Sequence, residues 1–131
     1  MAQAAQTPAL RKRILVVDDD ADVLALIERI LKTHADVVLA TDGMQALEVL
    51  HRGPLPDLVI TDVMMPRMDG LTLTRAMKAD AKLSRIPIVM LTASAGPRDV
   101  IAGLNAGARH YVTKPFKAED ILEKVRKALH L

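Results

Sequence analysis

Residues 14–20 of this chain read ILVVDDD, an apolar run that ends abruptly in three aspartates. Related runs occur at residues 57–62 (DLVITD), 87–92 (PIVMLT) and 110–115 (HYVTKP). Short apolar runs of this kind predict strands that are buried on both faces, as in a parallel sheet covered by helices. Open α/β sheets place their sites outside the carboxyl ends of such strands. We therefore expect the polar residues that close these runs to meet at one edge of a sheet.

Helical periodicity fills the intervals between the apolar runs. Pro97 is typical of a first helical residue, and Gly107 is typical of the residue after a helix end. We predict five strands and five helices, with strands near residues 13–17, 36–40, 57–61, 87–91 and 109–113. Right-handed crossovers then give an α/β fold, a doubly wound five-stranded parallel sheet, and we expect the flavodoxin-like strand order 2-1-3-4-5.

Length and composition indicate one globular domain. The chain has 131 residues, of which 50% are hydrophobic, and no apolar run approaches the roughly 20 residues that a membrane span needs. We expect residues 1–11 to form a disordered leader and residues 12–131 to form the domain. The leader lacks the pattern of a signal peptide and the chain has no cysteine, so we expect a cytoplasmic location and no contact with a membrane.

The charge pattern gives little support to nucleic-acid binding. The formal net charge is +2, and the chain has one Phe, one Tyr and no Trp. Proteins that bind single strands stack bases on aromatic side chains, which are almost missing here. We interpret the basic cluster at residues 11–13 as flanking the first strand, and we predict no direct contact with nucleic acid.

Asp18, Asp19 and Asp20 are three adjacent carboxylates at the end of the first strand. They repel one another, and a hard divalent cation such as Mg²⁺ removes that cost through oxygen ligands. A helix N-terminus also favours a carboxylate, by about 0.3–1 kcal/mol. Capping explains one aspartate but not three, and residues alone leave both interpretations open.

Asp62, Thr92 and Lys114 close the other runs, and each has an ordinary and a functional interpretation. Asp62 is a turn former or a nucleophile that forms an aspartyl-phosphate. Thr92 is a strand-end residue or a hydrogen-bond donor to a phosphoryl oxygen, and Lys114 is exposed or directed inward as a cation. A cis bond to Pro115 is one way to turn Lys114 into the site. Their joint occurrence at successive strand ends favours the functional interpretation.

The quoted runs, together with residues 56–70, 91–93 and 107–116, resemble the receiver domain of two-component response regulators, of the chemotaxis-regulator kind. The resemblance covers residues 12–131. It implies that Asp62 is the phosphoacceptor and that Asp18, Asp19, Asp62 and the backbone carbonyl of Met64 hold Mg²⁺. It also implies that Thr92 and Lys114 contact the phosphoryl group and that Thr92 and Tyr111 form the switch, while Asp20 only caps a helix.

The resemblance further implies a signalling role. A phosphohistidine on a sensor histidine kinase or a phosphotransfer protein donates the phosphoryl group. The fourth helix, fifth strand and fifth helix then present a changed face to a downstream protein or effector domain, and a phosphorylation-linked homodimer is a further expectation. Such a domain is not an enzyme in the usual sense, because it catalyses only its own phosphotransfer and self-dephosphorylation. Met64 and Ser94, each two residues past a site residue, are predicted to tune the lifetime of the phosphoryl group.

Three alternatives remain at this point. The spacing of Asp18 and Asp20 matches the nucleophile pair of haloacid-dehalogenase-type phosphatases. A flavodoxin-like carrier shares the sheet, although the chain lacks the hydroxyl-rich phosphate loop and the aromatics that a flavin needs. A receiver-like interaction module that is never phosphorylated typically lacks one of the site residues, whereas this chain has all of them.

Overall fold

Strands and helices alternate through the computed structural model, which describes residues 11–93 and 96–131. The strands are β1 (Lys12–Val17), β2 (Ala35–Ala40), β3 (Leu58–Asp62), β4 (Ile88–Thr92) and β5 (His110–Thr113). The helices are α1 (Ala21–Leu31), α2 (Gly43–Arg52), α3 (Gly70–Lys78), α4 (Pro97–Ala106) and α5 (Ala118–Leu129).

All strand pairs are parallel and the sheet order is β2-β1-β3-β4-β5. This confirms the predicted α/β fold and its flavodoxin-like order. Two strands end one residue later than predicted, so that Asp62 and Thr92 are themselves the last residues of β3 and β4. Asp62 lies opposite Leu91, and Thr92 lies opposite Thr113. The sheet ladder therefore fixes the backbone of both polar residues directly.

The core has two halves, one on each face of the sheet. Ile14 and Val16 of β1 belong to the half beneath α1 and α5, and Leu15 and Val17 belong to the half beneath α2 and α3. All four side chains are fully buried. A strand covered on both faces has no polar alternation, which is why the sequence shows continuous apolar runs.

Asp20 begins α1 as its N-cap. Its side chain accepts hydrogen bonds from the backbone N–H groups of Asp22 at 2.9 Å and Val23 at 3.4 Å. These bonds satisfy donors that the first helical turn leaves without partners. Asp20 thus has the capping role expected of it, and its carboxylate is used at the helix start.

The predicted leader, residues 1–11, lies outside the described residues except for Arg11. The Arg11 guanidinium donates to Asp36 at 3.0 Å and to the carbonyls of Lys32 and Ala35 at 2.8 and 2.7 Å. It therefore contacts the end of α1 and the start of β2. None of the described helices is long and apolar enough to span a membrane.

Candidate functional site

The carboxyl ends of β1, β3, β4 and β5 bring four predicted side chains together. Asp18 follows β1 and is fully buried, while Asp62 and Thr92 end β3 and β4 with exposures of only 8% and 5%. Lys114 follows β5, and its backbone N–H donates to the Thr92 carbonyl at 2.7 Å. Parallel strands end at the same edge of the sheet, so residues distant in the chain become neighbours there.

The Lys114 ammonium links two of the carboxylates. Its Nζ lies 2.9 Å from Oδ2 of Asp18 and 3.3 Å from Oδ1 of Asp62. The side chain of Lys114 is 23% exposed, so its charged end is directed inward. The Lys114–Pro115 peptide bond is cis. The arrangement places one cation between two anions that would otherwise repel each other.

Burial and charge shift the protonation equilibria of Asp62 and Lys114. Burial raises the pKa of Asp62, the neighbouring Asp18 charge raises it further, and Lys114 only partly opposes both effects. Burial also acts to lower the pKa of Lys114, but hydrogen bonding and charge from Asp18, with help from Asp62, outweigh it and raise that pKa. The lysine is therefore held in its charged form, and Asp62 is more basic than an exposed aspartate.

Asp18, Asp19 and Asp62 form an acidic cluster whose chemistry fits a divalent cation. One carboxylate oxygen from each lies within 4.8 Å of the others, with Asp19 exposed and the other two buried. Mg²⁺ prefers oxygen ligands, so these three carboxylates would be able to hold such an ion. Oδ1 of Asp18 accepts from the Asp20 N–H at 2.9 Å, which fixes the orientation of that carboxylate.

A cleft of about 230 Å³ opens beside Asp62. It is lined by Asp62, Val63, Met64, Thr92, Ala93, Asp99 and Lys114. The Met64 side chain is 75% exposed and lies at this cleft without being packed into the core. The volume is small, and Lys114 supplies a cation to the cleft, which suits a compact anion such as a phosphoryl group better than a large ligand.

Asp99 is a cleft residue that the sequence did not identify. It lies in the first turn of α4, where an acidic residue is expected simply because it stabilises the helix N-terminus. Nothing in the local pattern distinguishes that role from a place at the cleft. The one sequence signal for Asp99 was that the predicted fourth helix begins shortly after the polar end of the fourth strand.

Tyr111 lies against α4. Its hydroxyl donates to the Val100 carbonyl at 2.6 Å and lies 3.4 Å from the Asp99 carbonyl. Burial is the main cause that raises its pKa. A side chain on Gly103 would overlap the Tyr111 ring, so the glycine permits this close approach. The aromatic residue thus contacts the helix that carries Asp99. Ser94, the other residue predicted to tune lifetime, lies outside the described residues.

A family model described as the response regulator receiver domain matches residues 14–126. The chain belongs to that family. This confirms the resemblance found in the sequence, with signalling by two-component response regulators as the general setting of such domains. The parallel sheet places Asp18, Asp62, Thr92 and Lys114 at or just after the ends of neighbouring strands.

The receiver domain is similar to several known proteins. It is 43% identical over 121 residues to the DNA-binding response regulator MtrA of Mycolicibacterium paratuberculosis, covering 92% of this chain and 52% of that protein. The chain thus spans about half the length of the curated relatives it matches.

Two solved structures are also similar to this chain. The chemotaxis protein CheY4 of Vibrio cholerae matches with a TM-score of 0.86 and 29% identity, over 91% of this chain and 99% of that one. The receiver domain of a sensor histidine kinase from Pseudomonas aeruginosa matches with a TM-score of 0.84 and 31% identity, over 92% and 99%. That kinase domain has a magnesium ion coordinated in its active-site cleft.

Proposed function

We propose that this receiver domain accepts a phosphoryl group on Asp62 from a phosphohistidine of a sensor histidine kinase or phosphotransfer protein. The observation that carries the proposal is the Lys114 ammonium, 2.9 Å from Asp18 and 3.3 Å from Asp62. A partly buried cation that faces a carboxylate of raised pKa and an open cleft suits transfer of a small anion. The wider role is that of a signalling domain that catalyses only its own phosphorylation and dephosphorylation.

The transfer is an in-line displacement at phosphorus. A carboxylate oxygen of Asp62 forms the new O–P bond while the N–P bond of the donor breaks, and the histidine nitrogen leaves with the electron pair. Lys114 stabilises the negative charge on the phosphoryl oxygens, as cations do in phosphoryl-transfer sites. The raised pKa of Asp62 makes this carboxylate a better nucleophile than an exposed aspartate.

Asp18, Asp19, Asp62 and the backbone carbonyl of Met64 would hold Mg²⁺. When bound, the ion supplies positive charge to the phosphoryl oxygens. Support comes from the acidic cluster and its hard oxygen donors. Asp18 is fully buried and does not line the cleft, whereas Asp62 does, so Asp62 is the carboxylate that a phosphoryl donor can reach. Asp20 caps α1, which argues against the phosphatase alternative.

The product adds negative charge where only a carboxylate stood. Thr92 donates its hydroxyl to a phosphoryl oxygen and Lys114 pairs with another, so both contact the phosphorylated state differently from the free state. Such differential contacts shift a pre-existing equilibrium between two conformations. Tyr111 transmits the shift because its hydroxyl is bonded to α4. The output face comprises α4, β5 and α5.

The partners follow from this output face. The changed surface contacts a downstream protein, an effector domain or a second copy of the chain in a phosphorylation-linked homodimer. The MtrA relative is named as DNA-binding. We propose that the receiver region itself contacts proteins and not nucleic acid, with any DNA contact made by other parts of such regulators. A cytoplasmic location, shared with the kinase's phosphohistidine, completes the proposal.

Incubation with acetyl phosphate and Mg²⁺, followed by intact-mass measurement, tests the function. We expect a gain of about 80 Da in the parent, corresponding to one phosphoryl group, and none in Asp62→Ala. Omission of Mg²⁺ should reduce the gain strongly. A parent that gains no mass would instead support a receiver-like module that is never phosphorylated, and a gain that persists in Asp62→Ala would refute Asp62 as the acceptor.

A further inference from the structure

The β3–α3 loop, residues 63–69, connects Asp62 to α3 and carries Met64. Backbone hydrogen bonds fix where it starts and ends. The Val63 N–H donates to the Leu91 carbonyl at 3.0 Å, and the Gly70 N–H donates to the Val63 carbonyl at 2.8 Å. Between these points the Met64 side chain is largely exposed, whereas Met65 and Met68 of the same loop are partly buried and pack against the core beneath α2 and α3.

An ion pair fastens the far side of this loop to α2. Nε and one terminal nitrogen of Arg67 each lie 2.8 Å from Oδ2 of Asp42. Among the described residues this is the one ion pair that the loop makes. Asp42 is only 6% exposed, and its Oδ1 accepts from the Gln45 N–H at 2.9 Å as the N-cap of α2. The same carboxylate therefore starts a helix and holds a loop.

The backbone of the loop also contacts α2. The Gly43 N–H donates to the Met68 carbonyl at 3.0 Å. A Cβ at Gly43 would lie 2.7 Å from that carbonyl oxygen, so a glycine is needed for this approach. Arg67 itself has a φ of 65°, in the left-handed region that residues with a Cβ rarely adopt. A strained conformation of this kind persists where surrounding contacts hold it in place.

We propose that the Asp42–Arg67 pair is a positioning device for the cation site. The pair holds the β3–α3 loop against α2, and in this loop conformation the Met64 carbonyl would be directed towards the ion. The inference rests on the proposed function, because it deepens the description of the same site. Arg67 is a positioning residue, since it acts through the loop and touches neither the ion nor the phosphoryl group.

Substitution of Arg67 distinguishes the proposed positioning effect from a simple effect of charge, because the two change the Mg²⁺ affinity in opposite directions. Removing a positive charge near an acidic cluster should by itself strengthen Mg²⁺ binding. Loss of the positioning contact should weaken it. Arginine and alanine both carry a Cβ, so Arg67→Ala leaves the backbone strain at that residue unchanged while removing the guanidinium. The sign of the change in affinity therefore separates the two effects.

Isothermal titration of the full chain with Mg²⁺ alone provides the measurement. We expect Arg67→Ala to raise the Kd about three- to tenfold, somewhat less than the loss seen when outer contacts of direct metal ligands are removed. Arg67→Lys should recover part of the affinity because it keeps the charge within reach of Asp42. The matched control is Arg75→Ala, an exposed arginine of α3, which should leave the Kd unchanged or slightly lower. An Arg67→Ala protein that binds Mg²⁺ as tightly as the parent would overturn the proposal.

A double-mutant cycle tests whether the pair acts as one unit. Asp42→Asn keeps a side chain that caps helices well while removing the charge. We expect it to weaken Mg²⁺ binding, and we expect the double variant with Arg67→Ala to bind no more weakly than the weaker single variant. Fully additive effects on the Kd would contradict the inference. Thermal denaturation of each variant identifies a purely structural role, in which stability falls and the Kd stays the same.

The proposal and the proposed function can fail separately. At saturating Mg²⁺, Arg67→Ala should still gain one phosphoryl group from acetyl phosphate on Asp62. A parent that gains no mass refutes the phosphoacceptor role, yet its Mg²⁺ affinity can still be compared with that of Arg67→Ala. An unchanged Kd in a variant that is phosphorylated normally refutes only the positioning role.

Discussion

Asp62 and Asp42 are two carboxylates of similar low exposure, 8% and 6%, and each pairs with one cation. Their pKa values nevertheless shift in opposite directions. Burial and the Asp18 charge raise the pKa of Asp62 above its usual 3.8, despite Lys114. A backbone hydrogen bond from Gln45 and the Arg67 guanidinium lower the pKa of Asp42, although burial opposes them.

The opposite pKa shifts distinguish Asp62, a residue of the candidate site, from Asp42, a residue with a structural role. Asp42 receives hydrogen bonds from a helix N-terminus and an arginine, so its charged form is stabilised in the folded protein. Asp62 shares its only ion-pair partner among the described residues with Asp18, so its charged form is under-compensated. Asp62, the carboxylate that we propose as cation ligand and phosphoacceptor, is thus the one whose charged form folding leaves less stabilised. Shifted groups of this kind mark functional sites.

Lys114→Met tests the role of the shared cation and should give the largest loss of stability. We expect the free energy of unfolding at neutral pH to fall by about 1–3 kcal/mol, because two neighbouring carboxylates lose their cation while the partial exposure of Lys114 limits the cost. Saturating Mg²⁺ should recover much of the loss. Urea denaturation with and without Mg²⁺ provides the measurement.

Lys124→Met is the matched control for that experiment. The Lys124 side chain is 28% exposed, close to the 23% of Lys114, but its ion pair with Glu123 is long at 3.8 Å and lies on α5. Surface ion pairs of this kind contribute little, so we expect a change within about 0.5 kcal/mol and no recovery by Mg²⁺. Equal losses in the two variants would show that the carboxylates do not need Lys114.

The same substitution at the two aspartates should change stability in opposite directions. Asp62→Asn removes a destabilised charge, and we expect it to raise the free energy of unfolding by about 0.5–1 kcal/mol at neutral pH. Asp42→Asn keeps the cap but loses the charged partner of Arg67, and we expect a decrease of about 0.5–1 kcal/mol. Urea denaturation again provides the measurement. Changes of the same sign would contradict the comparison.

The dependence on pH sharpens this test. The folded pKa of Asp62 is raised, so its destabilising effect is complete above that folded pKa and disappears as the pH falls towards the unfolded value of 3.8. The folded pKa of Asp42 is lowered, so its stabilising effect is present above 3.8 and is lost as the pH falls through the folded pKa. On acidification, the Asp62→Asn difference should therefore decline first. The reverse order would show that the assigned directions are wrong.

The sequence predicted the fold and the strand-end residues because both depend on strong local signals. Apolar runs buried on two faces identify the strands, and a parallel sheet then requires Asp18, Asp62 and Lys114 to converge. The Asp42–Arg67 contact had no such signal. It joins two loops 25 positions apart, and its arginine adopts a left-handed backbone that sequence favours only for glycine, asparagine or aspartate. Such a contact becomes visible only when the path of both loops is known.

Met64 lies two residues after Asp62, in the β3–α3 loop, and its substitution should have the smallest effect. Met64 is 75% exposed at the cleft, where we expect its apolar side chain to limit how water approaches a phosphoryl group on Asp62. An asparagine there can hydrogen-bond and orient a water molecule. We therefore expect Met64→Asn to speed the loss of the phosphoryl group about two- to fivefold, a modest part of what positioned groups contribute to proton transfer and water activation.

The rate of that loss can be followed by intact mass after removal of acetyl phosphate. Met44→Asn is the control, since Met44 is also exposed, at 44%, but does not line the cleft. It should leave the rate unchanged. If the parent loses its phosphoryl group as fast as Met64→Asn, Met64 does not shield the cleft. The proposed contribution of Met64 would then be confined to its backbone carbonyl. The lifetime of the phosphoryl group would depend on the residues at the strand ends and not on the side chains of the β3–α3 loop.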